Sequence, residues 1–119
     1  MPIGTARMGA EQLLLLHVRG HDEPLKVTLT TTVVFGRRNA DTGELPDIGL
    51  DEFDAREHGI SRRHTKLSYD AGIIQVMDLG SRNGTFLNGQ KLIAHQNRIL
   101  RDGDELRLGT LVIRVIFVK

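Results

Sequence analysis

The 119-residue sequence contains no cysteine, which removes a disulfide framework, a thiolate nucleophile and a zinc ribbon from consideration. A reducing compartment is compatible with this, and a cytoplasmic location is the expectation. No uninterrupted apolar run exceeds that of Leu13 to Leu16, far short of a membrane span or a signal-peptide core, so a soluble chain with no membrane partner is expected. Aromatic residues make up only 4%, and Lys plus Arg number 16 against 15 for Asp plus Glu, a net charge of +1. Phe35, Phe86 and Phe117 stand in apolar, strand-like contexts rather than on a stacking surface, and nucleic acid is not an expected partner. The length leaves no room for a second domain. What is present is 39% apolar and 26% charged residues, enough for a core and too balanced for a disordered chain.

Residues 1–10 carry no period and are read as a flexible tail, with a single domain over 11–119. From Glu11 onward the texture is all-β: short apolar or alternating runs broken by Gly, Asp and Asn, with no sustained helical spacing. In Lys26 to Val34, Val27, Leu29, Thr31 and Val33 are expected on one face and Lys26, Thr28, Thr30 and Thr32 on the other. Gln12 to Arg19 and Leu111 to Val118 are more continuously apolar, as in strands covered on both faces or near the middle of a sandwich. His64 to Tyr69, Ile73 to Leu79, Thr85 to Leu87 and Glu105 to Leu108 complete the series. Asn88-Gly89 is the most specific local signal. A two-residue type I′ turn needs positive φ at both positions, which places Phe86-Leu87 opposite Gln90-Lys91. The one candidate helix is Asp51 to His58, with Asp51 as N-cap and Gly59 just past the end.

Arginine outnumbers lysine twelve to four, and five arginines fall in three loop-like segments, at Arg37 and Arg38, Arg62 and Arg63, and Arg82. The guanidinium fork suits bidentate recognition of phosphate or carboxylate. Each segment alone reads as an ordinary turn or strand entrance with a solvated arginine. Their joint order carries more: Gly36-Arg37, then Ser61-Arg62-Arg63-His64, then Asn83-Gly84-Thr85, then the Asn88-Gly89 turn.

In these boxes the sequence resembles the forkhead-associated (FHA) domain family, over roughly Leu13 to Val118. The resemblance implies a sandwich of two antiparallel sheets with about eleven short strands and functional loops at one end. It implies a module that binds a phosphothreonine-containing protein or peptide, such as a Ser/Thr kinase or its substrate, and not an enzyme. Carried over box by box, Arg37 and the Ser61 hydroxyl contact the phosphate, Arg62 or the backbone beside it adds a donor, and Arg82 lies close by. Asn83 hydrogen-bonds the peptide main chain. Gly36, His64, Gly84, Thr85, Asn88 and Gly89 are architectural, with His64 satisfied by a backbone carbonyl. The chemistry agrees, because a phosphothreonine carries close to two negative charges and three acceptor oxygens and needs several convergent donors. No cofactor or metal is implied. His17 and His21 are four apart, but across a strand and the Gly20 turn and without further ligands.

The 23 residues between Arg37 and Ser61 exceed the compact family pattern, and seven acids stand there against Arg38 and Arg56. That segment must fold aside, neutralise arginines at the site, or select basic residues in the partner. Gly59 occupies a place where some members carry a side chain that reads the peptide. A phosphorylated Thr5 in the tail would be available to enter the chain's own socket or a neighbour's. Three other functions are weighed. Ser61 and His64 as nucleophile and base lack an acid and an oxyanion signature. Nucleic-acid binding lacks charge and stacking residues. Docking of a folded partner without phosphate is the nearest alternative, and the intact Arg37, Ser61 and Asn83 set speaks against it.

Overall fold

Alternation of side chains builds two facing layers. The computed structural model describes residues 11–119, so the tail and Thr5 lie outside the described residues. Its strands are β1 (Gln12–Val18), β2 (Leu25–Leu29), β3 (Thr32–Gly36), β4 (Ile48–Gly49), β5 (Arg63–Asp70), β6 (Ile73–Asp78), β7 (Thr85–Leu87), β8 (Gln90–Lys91), β9 (Arg98–Leu100), β10 (Glu105–Leu108) and β11 (Leu111–Phe117). One sheet has six strands in the order β2-β1-β11-β10-β7-β8 and the other five in the order β4-β3-β5-β6-β9. Leu14, Leu16 and Val18 of β1 and Ile113 and Val115 of β11 face Leu67 of β5 and Ile74 and Val76 of β6 in one continuous core.

The fold is the expected β-sandwich, with four differences in detail. The Lys26 to Val34 alternation is not one strand. β2 pairs with β1 in the first sheet and β3 pairs with β5 in the second, so the chain changes layers at Thr30 and Thr31, both exposed. A polar threonine run satisfies its backbone equally well in either sheet, and the apolar residues on either side decide where it divides. Second, β1 and β11 lie inside the first sheet, one of the two expected placements, and bury one face each rather than two: Leu13 is 37% exposed, and His17 and Arg114 face solvent. Third, the β3–β4 pairing is parallel, so the second sheet is mixed. β9 had no sequence signal of its own.

The fourth difference is the helix. Only Asp51–Phe53 forms a single 3-10 turn, with no side-chain cap, and Asp54 ends it at φ +58°. Asp51 is otherwise engaged, its carboxylate accepting from the Arg38 N–H at 3.0 Å. Phe53, Ala55 and Ile60 are all buried, a spacing no single helical face offers, and the chain coils to seat them.

The Asn88-Gly89 hairpin forms as expected, with Asn88 at φ +48°, Gly89 at φ +86°, and Phe86 and Leu87 paired with Lys91 and Gln90. Asn88 is also tied to β10, its N–H donating to the Glu105 carbonyl at 2.8 Å and its Oδ1 accepting from the Glu105 N–H at 2.9 Å. The loops 37–47, 50–62, 79–84 and 109–110 hold one another. Gly109 N–H donates to the Gly84 carbonyl, Thr110 N–H to the His58 carbonyl, and Arg82 N–H to the Ser61 hydroxyl. Among the described residues no helix is long and apolar enough to cross a membrane.

Candidate functional site

Gly36 ends β3 where β5 begins, so close that the Arg62 carbonyl occupies the place of a Cβ. That approach fixes Arg37. Its backbone N–H donates to the Arg62 carbonyl at 3.2 Å and its Nε–H to the Ile60 carbonyl at 2.8 Å. The guanidinium is held by one edge while Nη1 is buried with no partner among the described residues. Leaving such a donor dry costs about 1–3 kcal/mol or more, a cost that an acceptor entering the cleft lined by Arg37 would relieve once the fork adjusts to it.

Ser61 is positioned from both sides. Its N–H donates to His64 Nδ1 at 3.0 Å and its Oγ accepts from the Arg82 N–H at 3.1 Å, leaving the hydroxyl proton uncommitted. His64 is fully buried, and its Nε2–H donates to the Gly84 carbonyl at 2.9 Å, the backbone partner expected of it. The two contacts require the neutral Nε2–H tautomer. Burial lowers its pKa from 6.5, against the pull of the Gly84 hydrogen bond and of Asp78. A protonated Nδ1 would face the Ser61 N–H, donor to donor.

The sign of the resulting pH dependence is fixed. With the folded pKa lowered, the unfolded chain takes up the proton first, so His64 subtracts nothing well above pH 6.5 and destabilises the fold as the pH drops below that value. Urea midpoints should therefore fall between pH 7 and pH 5 in the parent. His64→Gln should be less stable at pH 7 but show a shallower slope. An equal slope in the two would assign the titration to another histidine.

Asn83 Nδ2 donates to the Gly59 carbonyl at 2.9 Å, keeping Oδ1 and a second N–H for a ligand main chain. Gly59 sits at φ +76°, and a Cβ there would lie 2.5 Å from Asn83 Nδ2. No side chain can be placed at 59 without displacing Asn83. Thr85 is buried, donating from Oγ1 to Asp78 Oδ1 at 2.6 Å, so its contact with Thr65 Oγ1 at 2.7 Å is one it accepts.

Arg37, Ser61, Arg82 and Asn83 come together around one cleft of about 350 Å³, with Gly59, Ile60 and Arg56 completing its lining. Arg62 does not join them. Its guanidinium turns to Asp41 at 3.4 Å and lines an adjacent cleft of about 200 Å³ that shares Arg37. Much of the acidic segment folds aside, with Asp41 paired to Arg62, Asp47 accepting from the Val34 N–H at 2.8 Å and Asp51 from Arg38, while Glu44 lines the adjacent cleft that Arg37 and Arg62 share. None of its carboxylates lines the Arg37–Asn83 cleft. A larger cleft of about 500 Å³ lies beside β8 and β9. There the polar groups serve one another, Asn88 Nδ2 donating to Asp104 and Arg98 to Gln90. His17 and His21 do not converge; His21 stands edge-on to Phe53 at 4.7 Å.

Two site residues escaped the sequence reading. Asp78 is 4% exposed and anchors the 80–84 loop, accepting from the Gly80 and Ser81 N–H groups and the Ser81 and Thr85 hydroxyls. Its signal was the Asp-x-Gly-Ser run, an Asx turn waiting to form. Arg56 had no local signal, because its place depends on the tertiary coiling of 54–59.

The FHA domain family model matches residues 33–109. The glycogen accumulation regulator GarA of Mycolicibacterium smegmatis is 29% identical over 97% of this chain, and the oxoglutarate dehydrogenase inhibitor of Corynebacterium efficiens is 28% identical over 97%. The chain spans 64% and 71% of their respective lengths. Among solved structures, the FhaA FHA domain complexed with the intracellular domain of Rv3910 is 27% identical with a TM-score of 0.65, covering 86% of this chain and 98% of that one. A structure from an analysis of phosphothreonine-dependent FHA domain interactions is 26% identical with a TM-score of 0.68, covering 90% of this chain and 98% of that one. The relatives are named as a regulator of glycogen accumulation and an inhibitor of oxoglutarate dehydrogenase. The boxes at Gly36-Arg37, Ser61 to His64 and Asn83 to Thr85 fall inside the matched span of 33–109, more than half of the sequence: the chain belongs to the FHA domain family.

Proposed function

We propose that residues 11–119 bind phosphothreonine segments of partner proteins in the Arg37–Asn83 cleft and serve as an adaptor downstream of a Ser/Thr kinase. The guanidinium of Arg37 carries this reading, because it lines a cleft that no described carboxylate lines while its Nη1 has no partner among the described residues, and an anion would compensate it. The free Ser61 proton adds a second donor type, and the Asn83 amide provides a donor and an acceptor for the main chain beside the phosphate. Three hydrogen bonds to a charged group, at about 1.5–3 kcal/mol each, contribute roughly 5–9 kcal/mol before the costs of association. Phosphate contacts alone give weak binding, and peptide backbone must supply the rest. The phosphothreonine dependence named for one solved relative, and the regulatory and inhibitory roles named for the curated ones, support the same assignment.

The test is calorimetry of the protein with an oriented peptide library fixed at phosphothreonine, followed by single sequences taken from the enriched pool. The best should bind with a Kd in the micromolar range, near −8 kcal/mol, and their unphosphorylated twins about 100-fold more weakly. Equal binding of the two forms would instead mean docking that ignores phosphate.

A further inference from the structure

The Arg37–Asn83 cleft holds more positive charge than a phosphothreonine uses. Arg37, Arg56 and Arg82 all line it, and no carboxylate does. Outside the cleft, Arg19 and Arg114 pair with Glu105 and Arg62 with Asp41, while Arg38, Arg63, Arg98, Arg101 and Arg107 form no ion pair among the described residues; what sets the cleft apart is that three guanidinium groups share it. Arg56 and Arg82 form no ion pair among the described residues, although Asp54 and Glu57 are close to Arg56 in the chain. Three guanidinium charges face close to two on the phosphate, and one is left over.

The position of Arg56 follows from the loop that carries it. Ala55 is 2% exposed and accepts from the Ile60 N–H at 2.9 Å, the Arg56 carbonyl accepts from the Gly59 N–H at 3.0 Å, and the His58 carbonyl accepts from Thr110 N–H at 2.9 Å. The backbone on both sides of Arg56 is therefore pinned while its side chain stays exposed. Between Arg56 and Asn83 the wall is bare, because the Asn83 amide excludes any side chain at Gly59. Beyond Arg37, Ser61, Arg82 and Asn83 the lining is Gly59, the buried Ile60 and Arg56, so Arg56 is the one charged side chain on that part of the cleft among the described residues.

Resting on the phosphothreonine reading above, we infer that the chain selects phosphothreonine segments bearing an Asp or Glu near the modified residue, and that Arg56 reads it. The convergence of three guanidinium groups on one cleft and the pinned loop that carries Arg56 are separate observations.

The test uses phosphothreonine peptides of otherwise alanine sequence, with a single Glu, Gln or Lys moved through the flanking positions, measured by fluorescence anisotropy against the full chain. At one position or more Glu should bind about two- to fivefold more tightly than Gln, with Lys weaker than either, as befits a solvent-accessible pair. Arg56→Gln should erase that discrimination, and Arg56→Glu should reverse it in favour of Lys, a change that misfolding cannot imitate. If phosphorylated and unphosphorylated peptides bind alike, the recognition reading falls and this inference with it. If phosphothreonine is required but Glu, Gln and Lys are equivalent everywhere, or the preference survives in Arg56→Glu, only the role of Arg56 is overturned.

Discussion

Arg37→Ala should weaken phosphothreonine-peptide binding by roughly 100-fold or more, to the level of the unphosphorylated peptide, and Arg37→Lys should recover little of it. The asymmetry comes from the two jobs done by one planar group. Nε is committed to the Ile60 carbonyl at 2.8 Å, and this orients the fork whose Nη1 has no partner among the described residues. An ammonium has neither the reach nor the fixed geometry to satisfy the carbonyl and a phosphate together. Two charge-assisted hydrogen bonds at about 1.5–3 kcal/mol each are enough for the loss, and the lysine retains only a screened charge. Stability should change little. Alanine strands the Ile60 carbonyl but also removes a buried donor that has no internal partner, and the two effects oppose each other at about 1 kcal/mol each. Calorimetry with the selected phosphopeptide, alongside thermal melts, separates the cases. Parent-like affinity in Arg37→Ala would remove the phosphate from this residue, and a collapsed melting transition would make the residue structural.

What could be read from the sequence, and what could not, divides by the range of the interactions involved. The Asn88-Gly89 hairpin was legible because two backbone dihedrals decide it, and the distant contacts of Asn88 with Asp104 and Glu105 are compatible with the same turn. The break in Lys26 to Val34 was not, since threonines suit either sheet and the choice lies with β1 and β5 on opposite layers. Asp51 looked like a helix cap until Arg38, thirteen residues away, claimed its carboxylate. The same holds at the site. Arg37 is held by Ile60 and Arg62, Ser61 by His64 and Arg82, and Asn83 by Gly59, contacts between loops that no local pattern specifies; the resemblance carried by the ordered boxes is what pointed to one cleft. Arg62 lies beside Ser61 in the chain, yet its direction is set by Asp41 in a segment whose path no local pattern specifies. Arg56 entered the cleft by the converse route, through a loop folded to bury Phe53, Ala55 and Ile60.

Asp78→Asn should be almost as damaging as Asp78→Ala, each costing about 3–5 kcal/mol and lowering the melting temperature by roughly 15 °C. The carboxylate is nearly sealed from water and receives four donors: the Ser81 hydroxyl at 2.5 Å, the Thr85 hydroxyl at 2.6 Å, and the Gly80 and Ser81 N–H groups at 3.1 and 3.0 Å. Burial pushes the Asp78 pKa up, but the Ser81 and Thr85 hydrogen bonds and nearby His64 outweigh it and hold it below 3.8. The contribution is thus present at neutral pH and is lost only as the pH falls through that lowered value. An asparagine has the right size and half the acceptors, and its amide N–H groups would point at donors. The loop from 80 to 84 loses its anchor in either variant. Ser81 Oγ also accepts from the Gly84 N–H at 2.9 Å, so the disturbance passes directly to Asn83, which lies between them. At a temperature low enough for the variants to remain folded, phosphopeptide affinity should drop about tenfold, because Asn83 then pays the ordering cost on binding that the anchored loop has already met. Parent-like melting of Asp78→Asn would show that one oxygen suffices and that the hydroxyls are spectators. A low melting temperature with parent affinity would confine Asp78 to the fold and leave Asn83 positioned by its contact with Gly59.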